Sequence, residues 1–468
     1  MTKIKFGTDG WRAIIAKEYT VENVARVTQA TAAWLKNNFE NPSVVVGHDC
    51  RFGGEMFAET TAMVFALNGV KVKLAKNFVS TPMISLGTVK TKSSIGVIIT
   101  ASHNPASYNG YKIKGGYGGP LMPEDVQNIE DIIAEKSNIN IDAYFIKDFI
   151  DNGTIEYIDL ETMYCDHVEA NFDLEAIRNS GLEFAYDAMY GAGQNVMRRL
   201  LPDITFLHAD HNPGFDGQAP EPIDKNLQEF SSLIKMSENI DCGLATDGDA
   251  DRIGLYDSKG NFIDSHHIIL LLIHYMVKYK GQKGKVCVAF STSVKIKNMC
   301  DHYGLPMEVV KIGFKYICGI MLKEDVLVGG EESGGIAIKG HIPERDGIWM
   351  GLIIWEFMAK SGKSLNQLIE EVYEITGTFA FERSDLHLKE EVKNKIVENC
   401  KNNMYSDFSG YKVARVDDLD GFKYFFNDNE WFMIRASGTE PVLRTYAESK
   451  NREDAFAILA AARQTLLG

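Results

Sequence analysis

The chain has 468 residues, of which 45% are hydrophobic and 24% charged, and its formal net charge is −15. This length exceeds a single hydrophobic core and leaves room for three or four domains of ordinary globular composition. The acidic balance excludes a general polyanion binder, because phosphate backbones demand clustered Lys and Arg, so no nucleic-acid partner is expected and any anionic ligand must be met by a local basic pocket.

The seven cysteines are widely scattered and never form a Cys-x-x-Cys pair, which suits reduced thiols. Met1 to Lys5 lack the apolar core of a signal peptide, and the longest apolar run, Ile268 to Ile273, is far too short to span a bilayer. A cytoplasmic protein with no membrane partner is expected.

Phe6-Gly7-Thr8-Asp9-Gly10-Trp11-Arg12 opens the chain with a tight glycine turn that leaves Arg12 near the bend, where an arginine can serve an anion. Taken alone, the loop is a glycine turn with a solvated arginine. Val24, Val27, Thr31, Trp34 and Leu35 then fall at helical spacing, and Val44 to Val46 read as a buried strand. A helix over Glu55 to Asn68, closed by Gly69, precedes a strand over Val70 to Leu74, and Thr81-Pro82 opens the next helix. This alternation of strand and helix predicts a mainly parallel sheet.

Ile95 to Ile99 form a small, apolar run that ends in Thr100-Ala101-Ser102-His103-Asn104-Pro105, where Asn104 and Pro105 turn the chain sharply. Ser102, lifted onto that turn, reads as a nucleophile or phosphate carrier. Asn109-Gly110-Tyr111-Lys112 reads as a further turn that can bring Lys112 back toward it. From Glu124 to Glu161 the composition is acidic and irregular, which places a boundary near residue 155.

The second unit has a strand over Phe184 to Tyr186, the glycine turn Tyr190 to Gly193, and a helix into Leu201. Its strand Gly243 to Ala245 runs into Asp247-Gly248-Asp249-Ala250-Asp251-Arg252. Three carboxylates at alternate positions, separated only by small residues, can converge on one point, and a hard divalent cation is the natural occupant. Without a cation such a cluster would repel itself; the competing reading is a solvated acidic turn. An EF-hand is excluded, since its sixth position would be Arg252 and its twelfth Ser258. An all-carboxylate set fits magnesium, whereas zinc would want histidine or cysteine.

The third unit begins after Ile253 to Tyr256, with a helix through Ile268 to Met276, a strand over Val286 to Phe290, and Gly313-Phe314-Lys315. Val326 to Val328 feed Gly329-Gly330-Glu331-Glu332-Ser333-Gly334-Gly335, where carboxylates and a hydroxyl framed by glycines can accept hydrogen bonds from the vicinal hydroxyls of a sugar. A flexible glycine loop without a ligand is the plain alternative. Arg345 and Asp346 precede an apolar helix over Ile348 to Met358. From about residue 378 the pattern changes to short strands, Lys423 to Phe426 and Trp431 to Ile434, and one helix over Glu453 to Leu467, which predicts an open antiparallel sheet with helices on one side. Its loop, Arg435-Ala436-Ser437-Gly438-Thr439-Glu440-Pro441, followed by Arg444, makes a concave anion nest.

In their order along the chain, TASHNP, DGDADR, GEESGG and RASGTEP resemble the phosphoserine, metal, sugar and phosphate loops of the α-D-phosphohexomutase family, the phosphoglucomutases and phosphomannomutases. FGTDGWR, NGYK and DGIW also look like family sequence, and the match covers the whole chain. The resemblance implies an α/β fold of three related mixed-sheet domains plus a C-terminal α+β domain, arranged as a heart around a central cleft. The domains would run over residues 1–154, 155–255, 256–374 and 375–468.

It implies that Ser102 carries the phosphoryl group and that Asp247, Asp249 and Asp251 hold Mg2+ together with a Ser102 phosphate oxygen. Glu332 and Ser333 would bind sugar hydroxyls, and Arg435, Ser437, Gly438 and Thr439 the non-reacting phosphate. Arg12, Arg252, Lys112 and His103 would surround the transferring group, with Lys112, Lys315 and His103 as candidates for the general base.

Many mannose and glucosamine members end the sugar loop in histidine, where this chain has Gly335, a contact that Lys315 or Arg345 would replace. The implied activity is interconversion of hexose 1-phosphate and hexose 6-phosphate, glucose preferred, with glucose 1,6-bisphosphate as intermediate and activator. A phosphomannomutase, a dual-specificity enzyme and, further off, a phosphoglucosamine mutase are the alternatives. A magnesium-dependent sugar-phosphate phosphohydrolase is the rival of a different class. The expected partner is a small sugar phosphate, and the expected assembly a monomer or homodimer.

Overall fold

The computed structural model describes residues 3–436 and 442–468. The first unit is built on a six-stranded sheet. Strands Ile95–Ile99, Ser43–His48, Lys71–Ala75 and Ile155–Ile158 run parallel, while Tyr108–Gly115 and Trp11–Ile14 close one side antiparallel. In the second unit Ile240–Thr246, Glu183–Asp187 and Thr205–Leu207 are parallel, and Ile253–Asp257 returns antiparallel with Phe262–Ile263 at its edge. The third unit repeats the pattern in four strands: Met307–Val310, Lys285–Ala289 and Val326–Gly330 parallel, then Ile336–Ile338 antiparallel.

One device therefore recurs. In each unit an apolar parallel strand ends in a short polar loop, and the chain returns antiparallel beside it. The loops between Ile99 and Tyr108, Thr246 and Ile253, and Gly330 and Ile336 are the ones singled out by their sequence. The last unit has a five-stranded antiparallel sheet, in which Trp431–Ala436 pairs antiparallel with the next strand, Val442–Ser449. Its helix Arg452–Leu467 covers one face around Phe408, Phe432 and Ile458, and the other face, with Trp431, Met433 and Tyr446, packs on Phe290 of the third unit.

Two helices unify the molecule. Ser265–His274 is buried on every side, and Gly347–Ser361 over its first three turns, so both read as continuous apolar runs rather than stripes. They belong to one core that extends from Leu244 of the second unit through Ile269 and Trp355 to Val288 of the third, and reaches Met83 and Ile98 of the first. Among the described residues no helix is long and apolar enough to cross a membrane, and all seven cysteines are buried and free.

Several expectations need correction. Asn109 to Lys112 are not a turn but part of the strand Tyr108–Gly115, with Lys112 opposite Ile98. The reversal is already completed at Ser102 to Pro105, and the residues beyond it must extend to pair with the parent strand. The stretch from Glu124 to Glu161 contains helix Pro123–Asp131 and the strand Ile155–Ile158, which joins the first sheet, so that unit extends past residue 154. Likewise Ile253–Asp257 and Phe262–Ile263 complete the second sheet beyond residue 255, because an antiparallel return belongs to the strand it pairs with. The boundary expected after residue 374 falls in the last turn of helix Leu365–Thr376.

Candidate active site

Ser102 is fully buried and holds a left-handed backbone with φ 52°, unusual for a residue with a side chain. Its Oγ donates to Asp247 Oδ2 at 2.7 Å and lies 3.4 Å from His103 Nδ1. The bend is imposed from below by Arg51, whose guanidinium donates to the carbonyls of Ser102 and Asn104 through Nη2, and of Pro105 (2.9 Å) and Tyr108 (3.1 Å) through Nη1. Asp49 in turn lies 3.3 Å from Arg51 Nε and accepts from Thr100 Oγ1, whose oxygen receives the Ser102 amide. The second unit approaches so closely that a Cβ on Gly248 would stand 2.5 Å from the Ser102 carbonyl, which explains the glycine between the first two aspartates.

Asp247, Asp249 and Asp251 are buried, and one carboxylate oxygen from each lies within 4.8 Å of the others. Asp247 Oδ1 is occupied by the amides of Asp251 (2.9 Å) and Arg252 (3.0 Å), and Asp249 also accepts from Thr81 at the head of helix Thr81–Lys90. Mutual repulsion alone does not demand a metal here, because the first and third units supply cations. Lys112 Nζ lies 2.7 Å from Asp249, 3.0 Å from Asp251 and 2.9 Å from Asp9, and Arg345 Nη2 lies 2.8 Å from Asp251 and also pairs with Asp9. What fits a divalent cation is that Asp249 Oδ1 and Asp251 Oδ1 are buried without a hydrogen-bond partner among the described residues, a costly state for a carboxylate unless an ion takes them up.

The electrostatics follow from this packing. Burial, then Asp249 and Asp251, pushes the Asp247 carboxyl well above its usual range. Asp249 goes the other way: burial raises it, but Lys112, Thr81 and Arg345 together hold it low. For Lys112 burial works to lower the value, yet Asp249, Asp251 and Asp9 together keep the ammonium above its ordinary value. Burial, followed by Arg252 and Arg12, holds the His103 imidazole well below its ordinary value, so it is neutral at neutral pH. Arg12 itself donates to Asn104 Oδ1 at 2.6 Å, and Arg252 lies 3.7 Å from Glu221.

The third loop is joined to the second by backbone, Ile253 N donating to Gly334 O at 3.1 Å. Glu332 accepts from Ser291 at 2.8 Å, and the half-buried Ser333 follows it at the turn. Burial pushes Glu331 up to about 7 against the pull of Arg345, and its Oε1 receives the Gly313 amide at 2.9 Å. Arg345, expected to contact substrate, is engaged by Asp9, Asp251 and Glu344 and is 4% exposed. Its stem passes 2.5 Å from the position a Cβ on Gly335 would take. Lys315 is half-buried over the Tyr316 ring at 5.6 Å and makes no ion pair among the described residues. Arg435 faces Asp420 at 3.4 Å. Ser437, Gly438 and Thr439 lie outside the described residues.

Five site residues escape a reading of the sequence: Arg51, Asp49, Asp9, Thr81 and Asp420. The Asp49-Cys50-Arg51 triplet follows an apolar strand much as the serine does, and that placement is the available signal. Asp9 lies in the same glycine-rich motif as Arg12, but a single carboxylate there carries no signal of its own.

Models of the four phosphoglucomutase/phosphomannomutase domains match the chain: alpha/beta/alpha domain I at residues 3–140, domain II at 162–260, domain III at 264–375 and the C-terminal domain at 391–464. A phosphoglucomutase/phosphomannomutase of Thermococcus kodakarensis is 30% identical over 460 residues, covering 96% of this chain and 95% of the relative. A phosphoglucosamine/phosphogalactosamine mutase of Sulfurisphaera tokodaii is 30% identical over 464 residues, covering 95% of each. A solved structure from Thermus thermophilus, named for phosphomannomutase, superposes over the full length of both chains with a TM-score of 0.88 at 32% identity.

Proposed function

The chain belongs to the phosphoglucomutase/phosphomannomutase family, and from that premise we propose that it interconverts glucose 1-phosphate and glucose 6-phosphate through a phosphorylated Ser102. As a phosphohexomutase it is an isomerase that moves a phosphoryl group between two positions of one sugar. The observation that carries the reading is Ser102 Oγ, 2.7 Å from Asp247 and 3.4 Å from His103, an imidazole that itself feels the charges of Arg252, Arg12 and Lys112.

In this reading Arg435, with Ser437, Gly438 and Thr439, grips the phosphate that does not react, and Glu332 and Ser333 take sugar hydroxyls. Phospho-Ser102 transfers its group to the free hydroxyl, giving glucose 1,6-bisphosphate, which turns over and returns its other phosphate to Ser102. The bisphosphate would also prime an unphosphorylated chain. Phosphoryl transfer of this kind depends on alignment and charge, so Arg12, Lys112 and Arg252 contribute chiefly by neutralising the equatorial oxygens. Asp247, Asp249 and Asp251 would hold Mg2+, which when bound supplies further positive charge at the transferring group. Of the three candidate bases, Lys112 is pinned in its charged form by three carboxylates, and Lys315 is tied to none of these groups. His103 is neutral and 3.4 Å from Ser102 Oγ, and we assign it the proton.

The preference for glucose rests on the sugar loop, where Gly335 stands in place of the histidine of many mannose and glucosamine members and the Arg345 stem fills the space. The alternative sugar is glucosamine, favoured by the relatives named phosphoglucosamine mutase in Pyrococcus furiosus (28% identical) and Sulfurisphaera tokodaii. The test is to compare kcat/KM for glucose, mannose and glucosamine 1-phosphates with glucose 1,6-bisphosphate present. A clear preference for glucose is expected, and near-equal values for glucose and mannose would sink it. Release of free sugar instead of hexose 6-phosphate would favour a phosphohydrolase, and a Ser102→Ala variant that retained mutase activity would refute the phosphoserine route.

A further inference from the structure

We propose that Asp420 is a positioning residue, which orients the Arg435 guanidinium and ties it to the segment of the third unit that also holds Glu331 of the sugar loop. The proposal rests on the reading of Arg435 as a phosphate ligand. Asp420 Oδ1 lies 3.4 Å from Arg435 Nε and Oδ2 3.5 Å from Nη2, so the carboxylate meets one edge of the guanidinium and leaves Nη1 outside the pair. The same Oδ2 accepts the backbone amide of Ile312, in the third unit, at 2.9 Å. The next amide, that of Gly313, is received by Glu331 Oε1 of the sugar loop, also at 2.9 Å. Two consecutive amides thus run to two carboxylates, one beside each half of the substrate's binding surface.

Two independent features show why Arg435 needs this partner. Gly421 has φ 109°, and a Cβ there would stand 2.6 Å from the Ile434 carbonyl and 3.4 Å from Arg435 Cβ, so only glycine lets the Asp420 turn come this near the arginine. Beside the pair opens a cavity of about 570 Å³, lined by Lys401, Asn403, Asp420 and Arg435 among others. A long side chain next to such a space has many rotamers open to it, and a fixed carboxylate on one edge selects among them. The cost of ordering the guanidinium is then met before substrate arrives.

The experiment is steady-state kinetics with hexose 1-phosphate on Asp420→Asn, Arg435→Ala and the double variant, with melting midpoints as a check on folding. Asn keeps an oxygen for the Ile312 amide and removes only the charge on Arg435. Asp420→Asn is expected to raise KM about fivefold with kcat within about twofold of the parent, since it weakens one charge-assisted contact to a group that binds substrate throughout. In the Arg435→Ala background the same substitution is expected to change nothing. Asp420→Glu, which retains the charge, is expected to recover part of the KM. If Arg435→Ala raises KM and Asp420→Asn does not, Asp420 has no positioning role. An equal effect of Asp420→Asn with and without Arg435 overturns the proposal too, because the carboxylate would then act through the fold. An Arg435→Ala variant with unchanged KM refutes the phosphate clamp itself, a separate failure.

Discussion

Arg51 carries more of the serine loop than any residue within it. Four carbonyls converge on a single guanidinium in a fork that lysine cannot reproduce, since an ammonium is a point donor on a flexible stem. Arg51→Lys is therefore expected to leave buried carbonyls unmet, to cost about 1–3 kcal/mol in chemical denaturation, and to lower kcat by at least about 10²-fold as the Ser102 turn relaxes. A variant with parental kcat would show that the turn holds without its clamp. His103→Gln tests the assigned proton acceptor: about a 10²-fold fall in kcat with little change in KM is expected, and parental kcat would take the role from His103 and leave Lys315 as the candidate. Residues such as Ser102 and the three aspartates were legible in the sequence because their chemistry is stated by their own motif. Arg51 and Asp420 were not, because they act on backbone groups and side chains 51 and 15 positions away, which spacing along the chain does not express.

At the scale of elements, the strand, polar loop and antiparallel return occur three times, once in each α/β sheet. The sequence displayed the strands and the loops but not the returns. Tyr108–Gly115 begins with Asn109-Gly110, a turn signature that pairing with Ile95–Ile99 overrides. Glycines mark where these elements come too close for side chains. Gly335→Ala would drive a methyl into the Arg345 stem, which three carboxylates hold in place, and is expected to cost about 1–3 kcal/mol. Gly319, in helix Phe314–Met321, has open space at its Cβ, and Gly319→Ala is expected to stabilise by about 0.5–1 kcal/mol. Denaturation midpoints that moved in the same direction for both would contradict this account.

Helix Gly347–Ser361 adds a pH dependence. Burial raises the Glu356 carboxyl, but Lys360, Tyr275 and Lys280 outweigh it and bring it down to about 2. A carboxyl lowered by folding contributes stability above its ordinary value near 4.5 that is lost as the pH falls from there toward about 2. Because both lysines are more than a third exposed, the contribution is put at about 2 kcal/mol. Glu356→Gln should therefore flatten the acid limb of a stability profile, and an unchanged limb would assign acid sensitivity elsewhere.

For the whole molecule, the central arrangement joins three units through charge. Asp9 and Lys112 of the first, Asp249 and Asp251 of the second, and Arg345 of the third share one buried cluster, and Lys114 to Glu344 at 2.7 Å adds a further link between the first and third. A divalent cation entering the cluster binds the assembled state alone, so Mg2+ should raise the melting midpoint, by the equivalent of about 2.7 kcal/mol at a hundredfold excess over Kd. Asp249→Asn and Asp251→Asn should abolish that shift, and a shift retained in both would place the ion elsewhere. Four units were legible through the resemblance of the motifs, in their order, to a known family. The neutralisation of the triad by Lys112 and Arg345 was not, since it depends on how the units dock.

The recurring hairpin loops have a bearing on time as well as on place. Each of the first three sheets can form from residues within its own unit, whereas the contacts of Ser102 with Asp247, Lys112 with Asp249 and Arg345 with Asp251 form only when separate units have docked. During refolding, secondary structure is therefore the early signal, and catalytic competence the last property the chain regains.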